Sequence, residues 1–388
     1  MKIPIANSQR GFSLLELMVA SAIGLIGILA MTSLFRQGMT ATFTVTQRAE
    51  VQQNMRAAVE LMTKDISMAG AGLPSGGLQL PTAGGNTKVA CNQAGTCYVP
   101  ADTYPTGNFM YGILPGYGNG VEGGAGITSA PAPVVNDSIT SIYCDYNFPL
   151  NNFSFTFPST TQATVAPATT ITAGYPTNIL AAGGLNVGDL LFFLVSTPGA
   201  GTAGSSGGTS SAQTAAVVAE ITGLPNNTTI DFASGDALNF NQTGANSLAS
   251  TISSLGPALG GGNTVNVCRL NAVTYFLQVP AAGGTVQTPR LMRQVNGLTA
   301  VPVADNIINL QFSYDVISST SGLMNANLSN VAASGDSPGL IQKVNMWVMG
   351  QSLTSGGNKS QSMYLASSVS AGNMSFCNSY SDSTKVCQ

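Results

Sequence analysis

Six cysteines could either cross-link the chain or bind zinc, and their spacing separates these two chemistries. Cys91 and Cys97 enclose a short polar loop, and Cys377 and Cys387 enclose a Ser/Asn-rich segment, so each pair suits a local disulfide in an oxidising compartment. A zinc site favours closer C-x-x-C pairs and usually histidine, and the sequence contains no histidine. Two local disulfides are therefore predicted. The remaining cysteines, which would form a third bridge by elimination, are Cys144 and Cys268.

A search for catalytic residues gives no consistent site. The segment S-G-D-S-P-G at 334–339 is similar to the surroundings of the nucleophile in some serine proteases, but a Ser-His-Asp triad is impossible without histidine, and a turn is the better interpretation. The sixteen carboxylates are scattered and form no EF-hand loop, and no phosphate-binding G-x-x-x-x-G-K-[ST] loop occurs. The sequence predicts a protein that is not an enzyme and has no cofactor or metal site. A calcium site built partly from loop carbonyls is the remaining metal alternative.

The composition is poor in charge. Only 7% of the 388 residues are charged, against about 25% in ordinary soluble proteins. The formal net charge is −3, and no lysine or arginine occurs between Lys88 and Arg269. Because a protein that neutralises nucleic-acid phosphates needs a basic stripe, no direct binding of nucleic acid is expected. An uncharged surface rich in Gly, Ser and Thr is typical of proteins that work outside the cytoplasm.

Glu16 is the most unusual charged residue, because it lies at the start of a long apolar segment. The uncharged run Leu17–Phe35 is long enough to cross a bilayer as a helix. Lys2 and Arg10 precede it, and positive charge on the short leading side places the N-terminus in the cytoplasm and the rest outside. A cleaved secretory signal would have a shorter apolar core followed by a break. A transmembrane helix is the prediction.

The helical pattern continues beyond this segment. After Arg36, apolar residues recur every three or four positions among charged residues, which indicates one apolar stripe on a charged helix. Gly70, Gly72 and Pro74 then end the pattern. The sequence predicts a continuous helix over Phe12–Ala69, and such a long helix needs lipid or other helices along its first half and its own domain along its second. The stripe consists of Val51, Met55, Val59, Met62 and Ile66.

The carboxylate of Glu16 needs a partner, because a charge within a membrane segment costs about 2.5 to 3.5 kcal/mol on insertion scales. No base in the sequence lies at its level of the helix. If the chain were cut between Gly11 and Phe12, the new amino group of Phe12 would supply a positive charge at that depth, in the same subunit or in its neighbour. Small residues at spacings of four and three would let another helix approach, although such residues are also common in membrane helices. They are Ala20, Gly24 and Gly27.

These residues carry a specific resemblance. The order R-G-F-S-L-L-E followed by an unbroken apolar run resembles the type III signal sequence of type IV pilins and pseudopilins. The resemblance implies that a prepilin peptidase cuts after Gly11 and methylates the new N-terminal residue, Phe12. It also implies that Glu16 guides packing into a helical filament. A chance match in a simple membrane anchor is the alternative.

A second stretch narrows the resemblance. Residues 49–72 are similar to the end of the long helix in PilW-type minor pilins, with the basic-acidic pair Lys64 and Asp65 before an I-x-M-A-G exit at 66–70. J-class pseudopilins of type II secretion share this exit and are the nearest rival. The apolar segment contains no proline, whereas many major pilins kink theirs there; Gly24 and Gly27 would instead allow local unwinding.

The rest of the chain changes to a strand-like period. Residues 308–316, I-N-L-Q-F-S-Y-D-V, alternate apolar and polar, as a half-buried strand does. The Gly/Ser/Ala-rich stretches 199–213 and 255–263 are predicted loops. We expect an α+β protein with three regions: a leader at 1–11, a long helix at 12–73 whose transmembrane part is 12–35, and a β-rich domain at 74–388 with two antiparallel sheets. Other predicted strands are 134–144, 189–196, 215–222, 264–278, 288–295 and 343–348.

Trp347 and a separate group of five aromatic residues can each be interpreted as packing residues or as contact residues. Trp347 lies in a predicted strand, and a core position is expected for it. The other group lies in a Gly/Pro-rich stretch and forms either a partner-binding surface or a set of anchors that fix an irregular loop to the domain. This group comprises Tyr98, Tyr104, Phe109, Tyr111 and Tyr117.

The resemblance implies a structural minor pilin in the tip or initiation complex of a type IV pilus. Its implied partners are the prepilin peptidase, other minor pilins, the major pilin, the assembly platform, the inner membrane and, as a further candidate, a large tip adhesin. The chain would cross the inner membrane once and reach the cell surface after assembly, with adhesion, twitching motility or DNA uptake downstream. The alternatives are a J-class pseudopilin of type II secretion and a membrane-tethered surface binding protein or adhesin outside any filament.

Overall fold

The computed structural model describes most of the chain. By internal contacts the chain divides into two units, Met1–Gln52 and Gln53–Gln388. The described residues are 11–74, 77–93, 95–98, 109–122, 136–167, 176–197, 213–255, 264–278, 289–318, 320–352 and 361–374.

The predicted long helix is confirmed as helix α1, which spans Leu14–Ser67. Within its first part, an 18-residue window has a mean hydropathy of 2.3, and none of this window is buried. Near its end, Met55, Met62 and Ile66 are almost fully buried in the second unit, as the apolar stripe predicts. One helix therefore carries an uncovered apolar segment and an amphipathic segment that packs into the β-rich unit.

The end of α1 is fixed by glycine. Gly70 has a φ of 81°, in the left-handed region that favours glycine. Its N–H donates a hydrogen bond to the carbonyl of Ile142 at 2.8 Å. A Cβ on Gly112 would lie 2.5 Å from the backbone nitrogen of Gly70, so the two backbones pack directly on each other. The I-x-M-A-G exit is thus a close joint between helix and sheet.

Beyond α1, the regular secondary structure of the described residues is mainly β-strand, which confirms the predicted α+β class. The described strands form four sheets, of two, four, eight and four strands, rather than the two predicted. Almost all neighbouring strands are antiparallel. In chain order the elements are β1 (Leu78–Gln79), β2 (Phe109–Met110), β3 (Ile113–Gly116), β4 (Val121–Glu122), β5 (Ser138–Asp145), β6 (Phe153–Ser159), β7 (Gln162–Pro167), β8 (Leu190–Thr197), β9 (Gln213–Glu220), β10 (Gly223–Asn226), β11 (Thr229–Asp231), α2 (Leu248–Leu255), β12 (Thr264–Gln278), β13 (Arg290–Val295), β14 (Val301–Asp305), β15 (Ile307–Ile317), β16 (Met324–Leu328), α3 (Val331–Ser334), β17 (Ile341–Gln351) and β18 (Ser362–Ser370).

The long strand β12 organises the eight-stranded sheet. Its first part pairs with β8, its middle with β5 and its last part with β13, all antiparallel, while the short β4 pairs with its end in parallel. β9 extends the sheet beyond β8, and β14 extends it beyond β13. Because β12 pairs with three long strands, residues from distant parts of the sequence lie side by side on this sheet.

Strand β8 is buried on both faces, which explains its continuous apolar sequence. On one face, Leu191 and Phe193 join the apolar cluster that includes the small sheet β10-β11-β7-β6. On the other face, Leu190 and Phe192 pack with Leu270 of β12 in a second apolar cluster. The domain therefore has apolar clusters on both faces of the large sheet.

The last sheet has the order β16-β15-β17-β18. The alternation predicted for β15 is confirmed, since Leu310, Phe312 and Tyr314 are almost fully buried. The core position expected for Trp347 is wrong, because 46% of this residue is exposed. The period of two along β17 places it on the same face as Asn345, away from the apolar face.

Two disulfides are present among the described cysteines. Cys91 is bonded to Cys97, and Cys144 is bonded to Cys268. The first closes a short loop, whereas the second joins β5 to β12 across a sequence separation of 124 residues. The other predicted pair, Cys377 and Cys387, lies outside the described residues.

Replacing both Cys144 and Cys268 with alanine should lower the free energy of unfolding by about 2–5 kcal/mol, because the bridge restricts a long loop of the unfolded chain. Urea unfolding of the detergent-solubilised protein measures this. The matched control replaces both Cys91 and Cys97, whose separation is only 6 residues, and should cost clearly less. Equal losses from the two double variants would contradict the argument from loop length.

Candidate assembly site and helix anchor

The residues of the predicted processing motif lie at the start of α1. Gly11 and Phe12 precede the helix and are exposed. Ser13 begins the first turn: its Oγ accepts the N–H of Leu15 at 3.3 Å, and its carbonyl accepts the N–H of Glu16 at 3.0 Å. The bond between Gly11 and Phe12 is therefore outside regular structure, where a peptidase can reach it.

Glu16 lies in the first turn of α1 and is exposed. At this end of the helix, the aligned peptide dipoles favour a negative charge. Within the described part of the chain, Glu16 forms no ion pair. Polar side chains further along behave differently: the hydroxyls of Ser21 and Thr32 donate to helix carbonyls at 2.9 Å, which satisfies them in an apolar environment. The described residues thus satisfy these hydroxyls but supply no countercharge to Glu16.

The small residues on α1 have open space beside them. A Cβ on Gly24 or on Gly27 would meet nothing within 4 Å. Glycine within a helix is less favourable than alanine by about 1 kcal/mol, so these positions weaken the isolated helix without any gain in packing within the described chain. A close approach by another helix would use this space.

A second cluster joins the end of α1 to the large sheet. It consists of Asp65, Tyr143, Tyr275 and Arg293, and we call it the helix anchor. Asp65 Oδ1 accepts from the hydroxyl of Tyr143 at 2.9 Å, and Oδ2 accepts from the hydroxyl of Tyr275 at 2.5 Å. The Nε of Arg293 donates to Oδ2 at 2.8 Å, so the carboxylate is both paired and hydrogen-bonded. Only 3% of the Asp65 side chain is exposed.

Sheet register brings the three partners of Asp65 together. Tyr275 on β12 lies opposite Arg293 on β13, and Tyr143 on β5 lies opposite Asn271 of β12. Since residues two apart in a strand share a face, all three side chains point to the same side of the sheet. One carboxylate of the helix therefore binds three adjacent strands.

The electrostatics of the helix anchor keep its donors protonated. Burial, followed by the neighbouring charge of Asp65, raises the pKa of Tyr143 and of Tyr275 above the ordinary tyrosine value of 10.0. Both phenols therefore remain hydrogen-bond donors across the physiological pH range. The cluster has no free nucleophile or general base, and its geometry supports a structural role.

Another buried ion pair is also structural. Arg269 of β12 donates from its Nε to Asp145 of β5 at 3.1 Å. Its Nη1 donates to the carbonyls of Gly183 and Gly184, each at 3.1 Å. Burial raises the pKa of nearby Asp189, although its hydrogen bond from Asn186 and the charge of Arg269 oppose the rise. This arginine fixes a loop to the sheet.

A carboxyl pair lies at the end of β9. Glu220 is 4% exposed, and its Oε2 accepts the N–H of Leu238 at 2.9 Å. Asp236 lies beside it and accepts the N–H groups of Phe240 and Asn241 at 2.6 and 3.0 Å. Burial raises the pKa of Glu220 from 4.5 to about 7, and the adjacent Asp236 adds to the rise.

Glu220→Gln should change how stability depends on pH. The folded state holds the Glu220 proton more tightly than the unfolded state, so its stabilisation is complete below pH 4.5 and is lost as the pH rises through about 7. Relative to Glu220→Gln, the natural protein should therefore lose on the order of 2 kcal/mol of unfolding free energy between about pH 5 and pH 8. Urea unfolding at several pH values measures the difference. Exposed Glu60 provides the control variant Glu60→Gln; three parallel pH profiles would refute the assignment.

The segment 334–339 links helix α3 to a short 3-10 helix, Pro338–Leu340, with a turn at Gly335. Gly335 follows the last residue of α3 and has a φ of 76°, and the Oγ of Ser337 accepts the N–H of Gly339 at 3.2 Å. Asp336 is buried and accepts from Asn325 at 3.1 Å. In the part of the chain that is described, no group of three His, Cys, Asp or Glu residues is placed to hold a metal ion.

Sequence reasoning missed the helix anchor, although Asp65 itself was visible. The signal in the sequence was the position of Asp65, an acidic residue three positions after Met62 and therefore on the same side of the helix as the apolar stripe. The aromatic stretch contains both predicted alternatives: Tyr98 and Tyr111 are buried anchors, whereas 45% of Tyr117 is exposed. Tyr104 lies outside the described residues.

Comparison with known proteins bears on the N-terminal segment. Residues 6–32 match the prokaryotic N-terminal methylation motif. This N-methylation motif includes Gly11, Phe12 and Glu16, and it supports the type IV pilin superfamily as the origin of the chain's first segment. Together with the apolar part of α1, it indicates a membrane-anchored protein that a prepilin peptidase processes. Searches of curated proteins and of solved structures gave no match to this chain.

Proposed function

We propose that the chain is a structural minor pilin of the PilW type, which joins the initiation complex at the tip of a type IV pilus and is not an enzyme. The N-methylation motif over residues 6–32 carries the proposal, because it supports a pilin-like protein. Cleavage after Gly11 and methylation of Phe12 are the processing that we propose for it. Glu16, which forms no ion pair among the described residues, and the open space beside Gly24 and Gly27 support assembly through α1.

In the proposed pathway, the precursor first crosses the inner membrane once, with its N-terminus in the cytoplasm and residues 74–388 outside. Prepilin peptidase then removes the leader. The Phe12 amine pairs with Glu16 of the same or a neighbouring subunit as the helix enters the filament, which removes the cost of a lone buried charge. The partners are other minor pilins, the major pilin and the assembly platform, with a large tip adhesin as a further one. The disulfide between Cys144 and Cys268 fits an extracytoplasmic location.

The second candidate is a J-class pseudopilin of type II secretion, because the same motif and helix exit would serve a pseudopilus. Deleting the gene distinguishes the two. Loss of pili from the cell surface with normal protein secretion supports the proposal, whereas a secretion defect with normal pilus number supports the pseudopilin.

Mass spectrometry of the mature protein tests the processing that both candidates share. The expected N-terminus is N-methylated Phe12. A chain that retains Met1, or one cut after Ala30, would instead favour a tethered surface protein outside any filament.

Gly11→Leu should abolish this processing, because the peptidase must accommodate the residue before the cut. A Cβ at position 11 would meet nothing within 4 Å among the described residues, so the fold should be unaffected. Immunoblots should show the larger precursor at nearly full abundance. Gly38→Ala, at another glycine with open space around it, is the matched control and should be cut normally. Normal cutting of both variants would contradict the assigned site.

A further inference from the structure

Two aromatic side chains are exposed on the sheet β16-β15-β17-β18. Trp347 is 46% exposed and Tyr364 is 70% exposed. Their rings meet edge to face, with centroids 6.0 Å apart and an interplanar angle of 77°. Single exposed apolar residues are common on protein surfaces, but a paired Trp and Tyr beside a groove is a feature that recurs at binding sites.

Register shows what surrounds Trp347. It lies opposite Gln311 of β15 and Ala366 of β18. The next row on the same face holds Asn345, with Ser313 and Ser368 as its neighbours in the sheet. Ala366 is too small to cover the indole beside it, and 46% of Trp347 stays exposed. The face therefore combines one open aromatic surface with amide and hydroxyl groups.

A groove of about 630 Å³ follows this face, which is within the usual range for ligand sites. Tyr117 lines it from the loop after β3, and it is 45% exposed. Asp137, only 4% exposed, also lines it. The Asp137 carboxylate accepts the N–H of Gly118 at 2.9 Å and that of Phe312 at 3.0 Å, one on each oxygen. These bonds fix both the carboxylate and the loop that carries Tyr117, and each oxygen keeps capacity for a further donor.

The chemistry of the lining selects the class of ligand. The described lining residues include no lysine or arginine, so an anion would find no countercharge there. A cation would find one carboxylate that already accepts two hydrogen bonds. A molecule with many hydroxyl groups and one apolar C–H face fits best, since its hydroxyls can bond to amide, hydroxyl and carboxylate groups while its C–H face stacks on the indole. We propose that this groove binds a neutral oligosaccharide.

The single tryptophan of the chain makes a direct test possible, because all indole fluorescence comes from Trp347. The full-length protein is kept in lauryldimethylamine oxide, a detergent without a sugar headgroup that could compete. Maltotriose, cellotriose, triacetylchitotriose and lacto-N-tetraose are titrated to millimolar concentration. A saturable change in emission with at least one of them is expected. No change with any of the four overturns the proposal.

Two variants locate the binding. Ala366→Leu places a larger side chain beside the indole and should abolish the response, and Tyr364→Ala should weaken affinity at least about fivefold. Val187→Ala, at an exposed position outside the groove, should bind normally. A response unchanged by both groove variants would overturn the proposal. It would also be overturned if emission changed with protein concentration instead of sugar, since a second copy would then cover the groove.

Discussion

Glu16→Ala is expected to leave the chain in the membrane and remove it from the filament. Losing the carboxylate makes the apolar segment more hydrophobic, so insertion should be retained or improved. Assembly should fail, because the proposed partner of Glu16, the methylated amine of Phe12, would enter the filament core as an unpaired charge. Leaving one partner of a buried pair unpaired costs about 3–5 kcal/mol, which is a loss of at least 100-fold in an equilibrium.

Membrane fractions and sheared filaments from the same cells measure the two properties separately. Glu50→Ala is the matched control: it removes an exposed glutamate from the same helix, beyond the apolar segment, and should assemble normally. Glu16→Gln distinguishes charge from hydrogen bonding, and we expect it to fail as alanine does. Recovery of Glu16→Ala in sheared filaments at the natural level would refute the role proposed for Glu16.

Asp65→Ala is expected to destabilise the β-rich unit by about 3–5 kcal/mol. The substitution leaves the guanidinium of Arg293, whose side chain is only 23% exposed, without its carboxylate. It also leaves the buried hydroxyls of Tyr143 and Tyr275 without their acceptor, and each lost bond adds to the cost. Urea unfolding followed by near-ultraviolet circular dichroism, which is sensitive to tyrosine packing, measures the loss.

The control for Asp65 is another arginine–aspartate pair in the same sheet. The Nε of Arg290 lies 2.9 Å from the Oδ1 of Asp305, but the two side chains are 44% and 54% exposed. Exposed pairs contribute little, so Asp305→Ala should cost less than about 1 kcal/mol. A comparable loss from both variants would mean that burial does not set the strength of the helix anchor.

The spacing of apolar residues in the sequence predicted those helices and strands that are buried on one face or on both faces. Helix α1 followed from its apolar stripe, β15 from its alternation and β8 from its unbroken apolar run. The segment that forms β18, S-M-Y-L-A-S-S-V-S, gave no such signal, because most of its residues are exposed or half-buried on both faces. The two additional sheets contain strands of only two to four residues, β1, β2, β10 and β11, which are too short to show a period.

The candidate sites also differ in how far the sequence could predict them. Gly11, Phe12 and Glu16 are close in sequence, so one short stretch carried the resemblance that implies processing and assembly. The partners of Asp65 are 78, 210 and 228 residues away along the chain, and no local pattern could have assembled them. Trp347 was misplaced because its residue type suggested the core, whereas the alternation of its own strand placed it at the surface.

The position of Asp65 also determines how the protein would carry mechanical load. In the proposed filament, a pull along α1 would reach the sheet partly through the Asp65 carboxylate. Because that carboxylate is bonded to β5, β12 and β13 at once, the force is shared among three strands instead of peeling one strand away. The bonds from these strands to Asp65 must then break together. The resistance of the protein to force depends on its rate of unfolding and not on its equilibrium stability.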